Sequence, residues 1–145
     1  MIQRLLKTDS DLTSLILRIV LAVVIFPHGA QKVLGSFGGY GFSETYAFLT
    51  NAGFPGVLVL LLFVAEFLGP LGLLTGLLTR VAAAGIGVIM IVAGVTHFAN
   101  GFFMNWAGGQ QGEGFEYHIL AAAISLVLVI KGGGKASLDG VIANK

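Results

Sequence analysis

Ionisable side chains interrupt the long apolar stretches of this 145-residue sequence. They are Arg18, His28, Lys32, Glu66, His97, Glu116 and His118. A charged or titratable group inside a membrane-spanning helix is costly, so it usually faces the interior of the protein, has a partner, and often serves a function. We therefore predict that His28, Lys32, Glu66, His97, Glu116 and His118 line a ligand site.

The imidazoles of His28, His97 and His118, together with the carboxylate of Glu116, suit two kinds of chemistry. Three imidazoles and a carboxylate fit zinc or iron. The same groups fit proton exchange with a bound quinone, because histidine titrates near neutral pH. A third interpretation is structural, with each histidine satisfying a helix end or a loop carbonyl. We rank quinone ahead of a metal as the possible cofactor and assign no metal ligand.

Two of the basic residues have interpretations of their own. Arg18 and Glu66 fall in neighbouring apolar stretches, and an extended arginine could reach the carboxylate, so we predict a structural ion pair between them. Lys32 lies near the end of the first stretch, where its long side chain could instead extend to the outer lipid headgroups.

The composition requires lipid as the solvent for much of the surface. Hydrophobic residues make up 56% of the chain and charged residues only 10%, where soluble domains carry roughly 25% charged residues. The mean hydropathy is +0.92. A formal net charge of +1 gives no nucleic-acid footprint, and the chain contains no cysteine, which excludes a thiol relay or thiolate metal site within it.

Apolar runs of sufficient length predict four transmembrane helices in one integral membrane domain covering residues 1–145. The spans are predicted at about 12–34, 56–78, 81–98 and 114–130, forming an all-α bundle. A cleaved signal peptide is the alternative for the first run, but that run is too long and lacks a convincing cleavage site. The tail after residue 130 is predicted to be a flexible cytoplasmic end.

Orientation follows from the distribution of lysine and arginine. With both termini in the cytoplasm, the inner segments hold Arg4, Lys7, Arg80, Lys131, Lys135 and Lys145. The two predicted outer loops contain Glu44 and Glu113 and no lysine or arginine. Because cytoplasmic loops are enriched in positive residues, we predict an N-in, C-in protein of the cell (inner) membrane.

A spaced set of residues resembles the DoxX family of small bacterial and archaeal inner-membrane proteins. The set is Arg18; His28-Gly29 followed by Lys32; Glu66 followed by Gly69 and Gly72; Gly76-Leu77-Leu78-Thr79-Arg80; Glu116; and Gly134-Lys135-Ala136-Ser137-Leu138-Asp139. The tail reads Gly132-Gly133-Gly134 where the family usually has Gly-Pro-Gly. The resemblance implies a four-helix membrane protein and a link to redox complexes, since the family name derives from quinone-linked thiosulfate oxidoreductases.

Three functions are compatible with these observations. The first is a redox-linked subunit that interacts with quinone or with a redox partner protein. The second is a non-catalytic membrane scaffold for partner proteins, and the third is a small-solute or proton pathway that uses Arg18 and Glu66. A homo-oligomer is compatible with all three, and the sequence does not decide whether the protein is an enzyme.

Overall fold

A computed structural model describes residues 2–143, and the described chain is helical with no β-strand. Its helices are α1 (Ile2–Leu6), α2 (Leu12–Leu34), α3 (Gly41–Asn51), α4 (Gly56–Phe63), a π-helical segment (Val64–Leu68), α5 (Gly69–Thr75), α6 (Thr79–His97), α7 (Glu116–Lys131) and α8 (Leu138–Ala143). Short 3-10 turns cover Ser36–Gly38 and Phe98–Asn100.

Three helical stretches are long and apolar enough to cross a bilayer: Leu12–Leu34, Gly56–Thr75 and Thr79–Asn100. The second stretch ends as a helix at Thr75, a little before the predicted residue 78. Helix α7 has 16 residues and packs mainly along α6, with further contacts to α2.

Helix α2 begins and ends at residues that suit helix termini. The Asp11 side chain accepts the Ser14 backbone N–H at 2.8 Å, which satisfies one of the free donors of the first turn. Gly35 closes the helix with φ of 72°, a conformation that glycine adopts without steric cost. Pro27 lies inside α2 and removes one backbone hydrogen bond from it.

The π-helical segment between α4 and α5 has a local cause. Pro70 has no N–H to donate to the carbonyl of Glu66, four residues earlier, so the regular ladder is broken there. The N–H of Gly69 instead donates to the carbonyl of Val64, five residues earlier. Such an insertion turns the side chains of one helical turn and is frequent at functional sites. Glu66 lies within this turn.

An apolar core fills the middle of the helix assembly. Leu73, Ile86 and Leu128 are fully buried there, together with Leu21 and Ile25 of α2. Many other large apolar side chains point outward, among them Val23, Val88 and Leu120. An outer surface of this kind fits a chain whose flanks face lipid.

The tail is packed against the helices, so the prediction of a flexible end is wrong for the part that the structure describes. Asp139 is 1% exposed, and its carboxylate accepts the backbone N–H groups of Leu78 and Thr79 at 2.7 and 2.8 Å. The N–H of Asp139 donates to the Gly76 carbonyl at 2.9 Å. The tail therefore caps the first turn of α6.

Arg80 performs a comparable role at the end of α7. Its guanidinium donates to the carbonyls of Val129 and Ile130, and to the carbonyl of Lys7 from the other side. A helix C-terminus has free carbonyls and a partial negative charge, and a guanidinium satisfies both. The basic residues at this end of the molecule thus connect the helix ends to one another.

Candidate functional site

The predicted ion pair between Arg18 and Glu66 is not formed. Arg18 is 1% exposed and donates to five backbone carbonyls at the opposite end of the bundle. These are the carbonyls of Leu73, Leu74, Gly133, Lys135 and Ala136, at 2.7–3.3 Å. The side chain closes the C-terminus of α5 and holds the tail, so its role is structural.

Glu66 pairs with Lys32 instead. The distance from Lys32 Nζ to Glu66 Oε2 is 2.6 Å, with the glutamate side chain 6% and the lysine side chain 29% exposed. The contact is an ion pair rather than an aligned hydrogen bond. Lys32 therefore turns toward the neighbouring helix in the bundle, and the alternative in which it extends to the outer headgroups is not observed.

The close approach of Gly29 to Glu66 explains this pairing. A Cβ built on Gly29 would lie only 2.1 Å from the carbonyl oxygen of Glu66, so the backbones of α2 and the π-helical segment are in direct contact. Lys32 is three residues after Gly29 and shares its helix face. Arg18 is eleven residues before Gly29, about 16 Å away along the helix. The contact thus fixes which cation meets the carboxylate.

His28 lies beside this ion pair and is exposed on the flank of the bundle. It lies four residues before Lys32, on the same face of α2. The ring of Tyr117 from α7 lies against it, with centroids 6.3 Å apart. The Tyr117 hydroxyl is buried and has no hydrogen-bond partner among residues 2–143. A buried ion pair is therefore reached from the flank past an imidazole and a free phenol.

His118 and His97 form a second pair on the other side of α7. Their rings stack with centroids 5.0 Å apart, and His118 is buried, with no partner for Nδ1 in the part of the chain that the structure describes. His97 Nδ1 lies 3.0 Å from the carbonyl oxygen of Glu113. Because a carbonyl only accepts, Nδ1 carries the proton and Nε2 is the basic nitrogen.

Glu116 does not join these residues. Its Oε1 accepts the backbone N–H of Met104 at 3.0 Å and the indole N–H of Trp106 at 3.1 Å. Glu116 thereby fixes the loop between α6 and α7, while His118 points inward. The two side chains diverge, as their spacing of two residues on a helix requires.

Comparison with known proteins decides the family. The sequence profile of the DoxX family matches residues 13–106, more than half of the chain. The chain belongs to the DoxX family. It is also 29% identical over 141 residues to the inner membrane protein YqjF of Escherichia coli (strain K12), covering 97% of this chain and 99% of that protein. No solved structure matches.

This DoxX-family protein is a multi-pass protein of the inner membrane. Within the matched region lie Arg18, His28, Lys32, Glu66 and His97, while the α7 residues lie beyond it. The near full-length relative extends the similarity over α7 as well.

Tyr117 is a site residue that the sequence analysis did not select. A tyrosine in an apolar helix is usually interpreted as an interfacial anchor, so the residue type alone did not indicate a role in a site. Its position between Glu116 and His118 was the available clue, because adjacent helical residues point about 100° apart. Tyr117 thus faces α2 while His118 faces α6.

His28, Lys32 and Tyr117 are at least partly exposed on the flank of the bundle, beside the buried Glu66. Cavities of about 230 and 460 Å³ lie elsewhere, beside Thr8 and Gly134 and beside Leu5 and Arg80. In residues 2–143, no group of three or more histidine, aspartate or glutamate side chains is placed to hold a metal. The side chains around Glu66 can donate and accept hydrogen bonds.

Proposed function

We propose that this protein is the membrane subunit of a redox system and that a quinone binds at the cleft formed by His28, Lys32, Glu66 and Tyr117. The observation that carries the proposal is the exposed His28 beside a free, buried Tyr117 hydroxyl and the Lys32–Glu66 ion pair. Quinones dissolve in the apolar part of the bilayer. The exposed side of these residues is the flank of the helix bundle, which in this proposal faces lipid.

The chemistry of the cleft fits a quinone headgroup. Each quinone oxygen accepts hydrogen bonds, which the Tyr117 hydroxyl and a protonated His28 donate. Conversion to quinol takes up two electrons and two protons. Histidine and glutamate side chains exchange protons under cellular conditions when their surroundings tune them. The Lys32 ammonium additionally favours negative charge that develops on a partly reduced ring.

The electrons come from a redox partner protein in this proposal. The chain has no cysteine, so it offers no thiol for a sulfur or disulfide relay of its own. A small membrane subunit that presents quinone to such a partner matches the redox association implied by the family resemblance. A scaffold without ligand remains the competing function.

The proposal includes four spans with both termini in the cytoplasm. Helix α7 covers about 24 Å, a little short of a bilayer core of about 30 Å, and local thinning accommodates such a helix at modest cost. Reporter fusions after Gly41 and Gly109 should read outside, and fusions after Arg80 and Lys145 cytoplasmic. A cytoplasmic reading at Gly41 would overturn this topology.

Quinone binding is tested on the detergent-purified protein. We expect extracted quinone in the wild-type preparation, and specific binding of decylubiquinone in nanodiscs measured by calorimetry. Tyr117→Phe should weaken that binding about tenfold, the value of one lost hydrogen bond to a buried partner. The matched control is Tyr40→Phe, which removes a hydroxyl from a side chain that is 80% exposed.

Two outcomes would contradict the proposal. The first is that no quinone copurifies with the wild-type protein and that its nanodiscs take up no more decylubiquinone than empty ones. That result would favour the scaffold function. Equal losses in Tyr117→Phe and Tyr40→Phe would place any binding outside the cleft.

A further inference from the structure

Four aromatic-ring side chains that can bind or release a proton lie one after another in space across the bundle. We call them the ring string: His97, His118, Tyr117 and His28. The successive centroid distances are 5.0 Å, 5.5 Å and 6.3 Å. No hydrogen bond joins neighbouring members within residues 2–143, so a proton would pass between them through a bridging water.

Helix α7 provides the two central members of the ring string. Because Tyr117 and His118 are adjacent, they point in different directions, and each meets a different helix. His118 stacks on His97 of α6, and Tyr117 lies against His28 of α2. The step between the two helices is made by adjacent residues whose rings meet edge to face.

Both central members have a buried polar atom without a protein partner. The Tyr117 hydroxyl and His118 Nδ1 make no hydrogen bond within the described residues. Burying an unpaired polar group costs free energy, and Thr79 and Ser125 also have such a hydroxyl oxygen within the described residues. The Tyr117 and His118 atoms both belong to groups that can exchange a proton, and both belong to the same string.

The two ends of the ring string differ in exposure. His97 is partly exposed and contacts the Glu113 carbonyl in the loop between α6 and α7. At the other end His28 lies one helical turn before Lys32, whose ammonium contacts the buried Glu66. The string therefore leads from the loop side of the bundle to the ion pair.

An apolar layer separates Glu66 from the opposite side. Leu21 and Ile25 lie between Arg18 and His28 along α2, and Leu73 lies between Glu66 and Gly76. Ile86 of α6 and Leu128 of α7 complete the layer, and all of these side chains are at most 2% exposed. Ser125 adds a single hydroxyl to it, too little to bridge its thickness.

We propose that the ring string conducts protons between the outer aqueous side and Glu66, and that the apolar layer closes Glu66 off from the cytoplasmic side. The receiving residue lies in the proposed quinone cleft, so in that respect the inference rests on the proposed function. A proton bound by His97 passes to His118. Tyr117 then accepts a proton on its oxygen as it gives up its own to His28, and Glu66 is the final acceptor. No electron moves in these steps.

Charged and titratable groups face this route from each packed helix. They are His28 and Lys32 on α2, Glu66 on the π-helical segment, His97 on α6, and Tyr117 and His118 on α7, while Glu116 of α7 points to the loop instead. Lys32 is the charged group in direct contact with Glu66, with 2.6 Å between Nζ and Oε2.

The test uses liposomes of known protein orientation and no quinone. A pH jump is applied on one face, and the infrared carboxyl band of protonated Glu66, identified by its loss in Glu66→Gln, is followed in time. We expect the band to appear faster after a jump at the outer face than at the cytoplasmic face. His97→Phe, which keeps a ring but removes its proton sites, should slow the outer response by roughly 10²-fold, the lower range for a positioned proton-transfer group.

Asn100→Ala is the matched control. Asn100 donates to the same Glu113 carbonyl at 2.9 Å, so its loss disturbs the same loop anchor without touching a proton site. Its outer response should stay within twofold of wild type. Equal rates from both faces, no Glu66 band at any pH, or an unchanged rate in His97→Phe would each overturn the inference.

Failure of this inference is distinguishable from failure of the quinone proposal. Decylubiquinone binding is measured without a pH jump, and proton uptake is measured without quinone. If decylubiquinone binds but Glu66 takes up protons equally fast from both faces, the quinone site is retained and the proton route is rejected. If proton uptake is faster from the outer face but decylubiquinone does not bind, the route is retained and the quinone site is rejected.

Discussion

The Oδ2 atom of Asp139 accepts the backbone N–H of Thr79 at 2.8 Å, across sixty positions of sequence. Its other oxygen accepts the N–H of Leu78, which has a left-handed φ of 50°. A carboxylate at the N-terminus of α6 satisfies free donors and favours the positive end of the helix. The tail and the turn between α5 and α6 therefore stabilise each other.

Asp139→Ala should lower the free energy of unfolding by about 1–3 kcal/mol, because two buried N–H groups lose their acceptor. Thermal unfolding in detergent measures the change. Asp9→Ala is the control, since Asp9 is exposed and makes its hydrogen bonds through the backbone oxygen. Equal melting temperatures for Asp139→Ala and wild type would show that the tail does not stabilise α6.

Gly29→Ala should separate α2 from the π-helical segment. The added Cβ would meet backbone atoms of Glu66 and Phe67 at 2.1–2.7 Å, and backbone cannot move aside cheaply. We expect a loss of about 1–3 kcal/mol in stability and weaker Lys32–Glu66 contact. Gly109→Ala, where a Cβ meets nothing within 4 Å, should leave the melting temperature unchanged. A tolerated Gly29→Ala would contradict the close approach.

A double-mutant cycle tests which cation pairs with Glu66. Lys32→Met and Glu66→Gln should be non-additive, with a coupling of about 0.5–3 kcal/mol in the free energy of unfolding. Arg18→Met and Glu66→Gln should be additive, because Arg18 binds carbonyls at the other end of α2. Coupling between Arg18 and Glu66, with none between Lys32 and Glu66, would reverse this assignment.

Asp11 gives a prediction for acid pH. The backbone N–H of Ser14 holds the pKa of the Asp11 carboxyl below its ordinary value of 3.8; partial burial opposes this, and the Ser14 hydroxyl and Lys131 add to the lowering. A lowered folded-state pKa means that the carboxylate stabilises the folded protein above the unfolded-state value. That contribution is lost as the pH falls through the folded-state pKa.

The measurement compares melting temperatures of wild type and Asp11→Ala across pH. Their difference should be largest near neutral pH and should shrink below pH 3.8. Asp9→Ala should show no comparable trend. A constant difference down to the most acidic pH would mean that the Asp11 charge does not contribute.

The membrane character and the polar positions could be read from the sequence because they depend on residue type. Apolar runs identify helices that cross lipid, and Arg18 or Glu66 inside such a run predicts an inward-facing group. The partners of Arg18 could not be read, because they are backbone carbonyls, which every residue has. The partner of Glu66 could not be read either, since the contact at Gly29 sets the relative position of the helices.

The ring string was only partly accessible from the sequence for a related reason. The histidines were candidates from their type, but which of them adjoin depends on how α7 lies between α2 and α6. The docked tail was missed because glycine-rich sequence is typical of flexible ends. A glycine is also required where the tail packs against the helices. A Cβ on Gly76, at the end of α5, would lie 2.6 Å from the Ser137 side chain of the tail.

Arg18 lies in the first long helix, whereas three of its five carbonyl partners lie in residues 133–136, near the other end of the chain. During synthesis the guanidinium therefore enters the membrane long before the ribosome has made those partners. Until the tail folds back against α2, the guanidinium lacks three of its five acceptors. A chain that stops short of residue 133 would keep that defect, which gives membrane quality-control proteases a physical mark of unfinished protein.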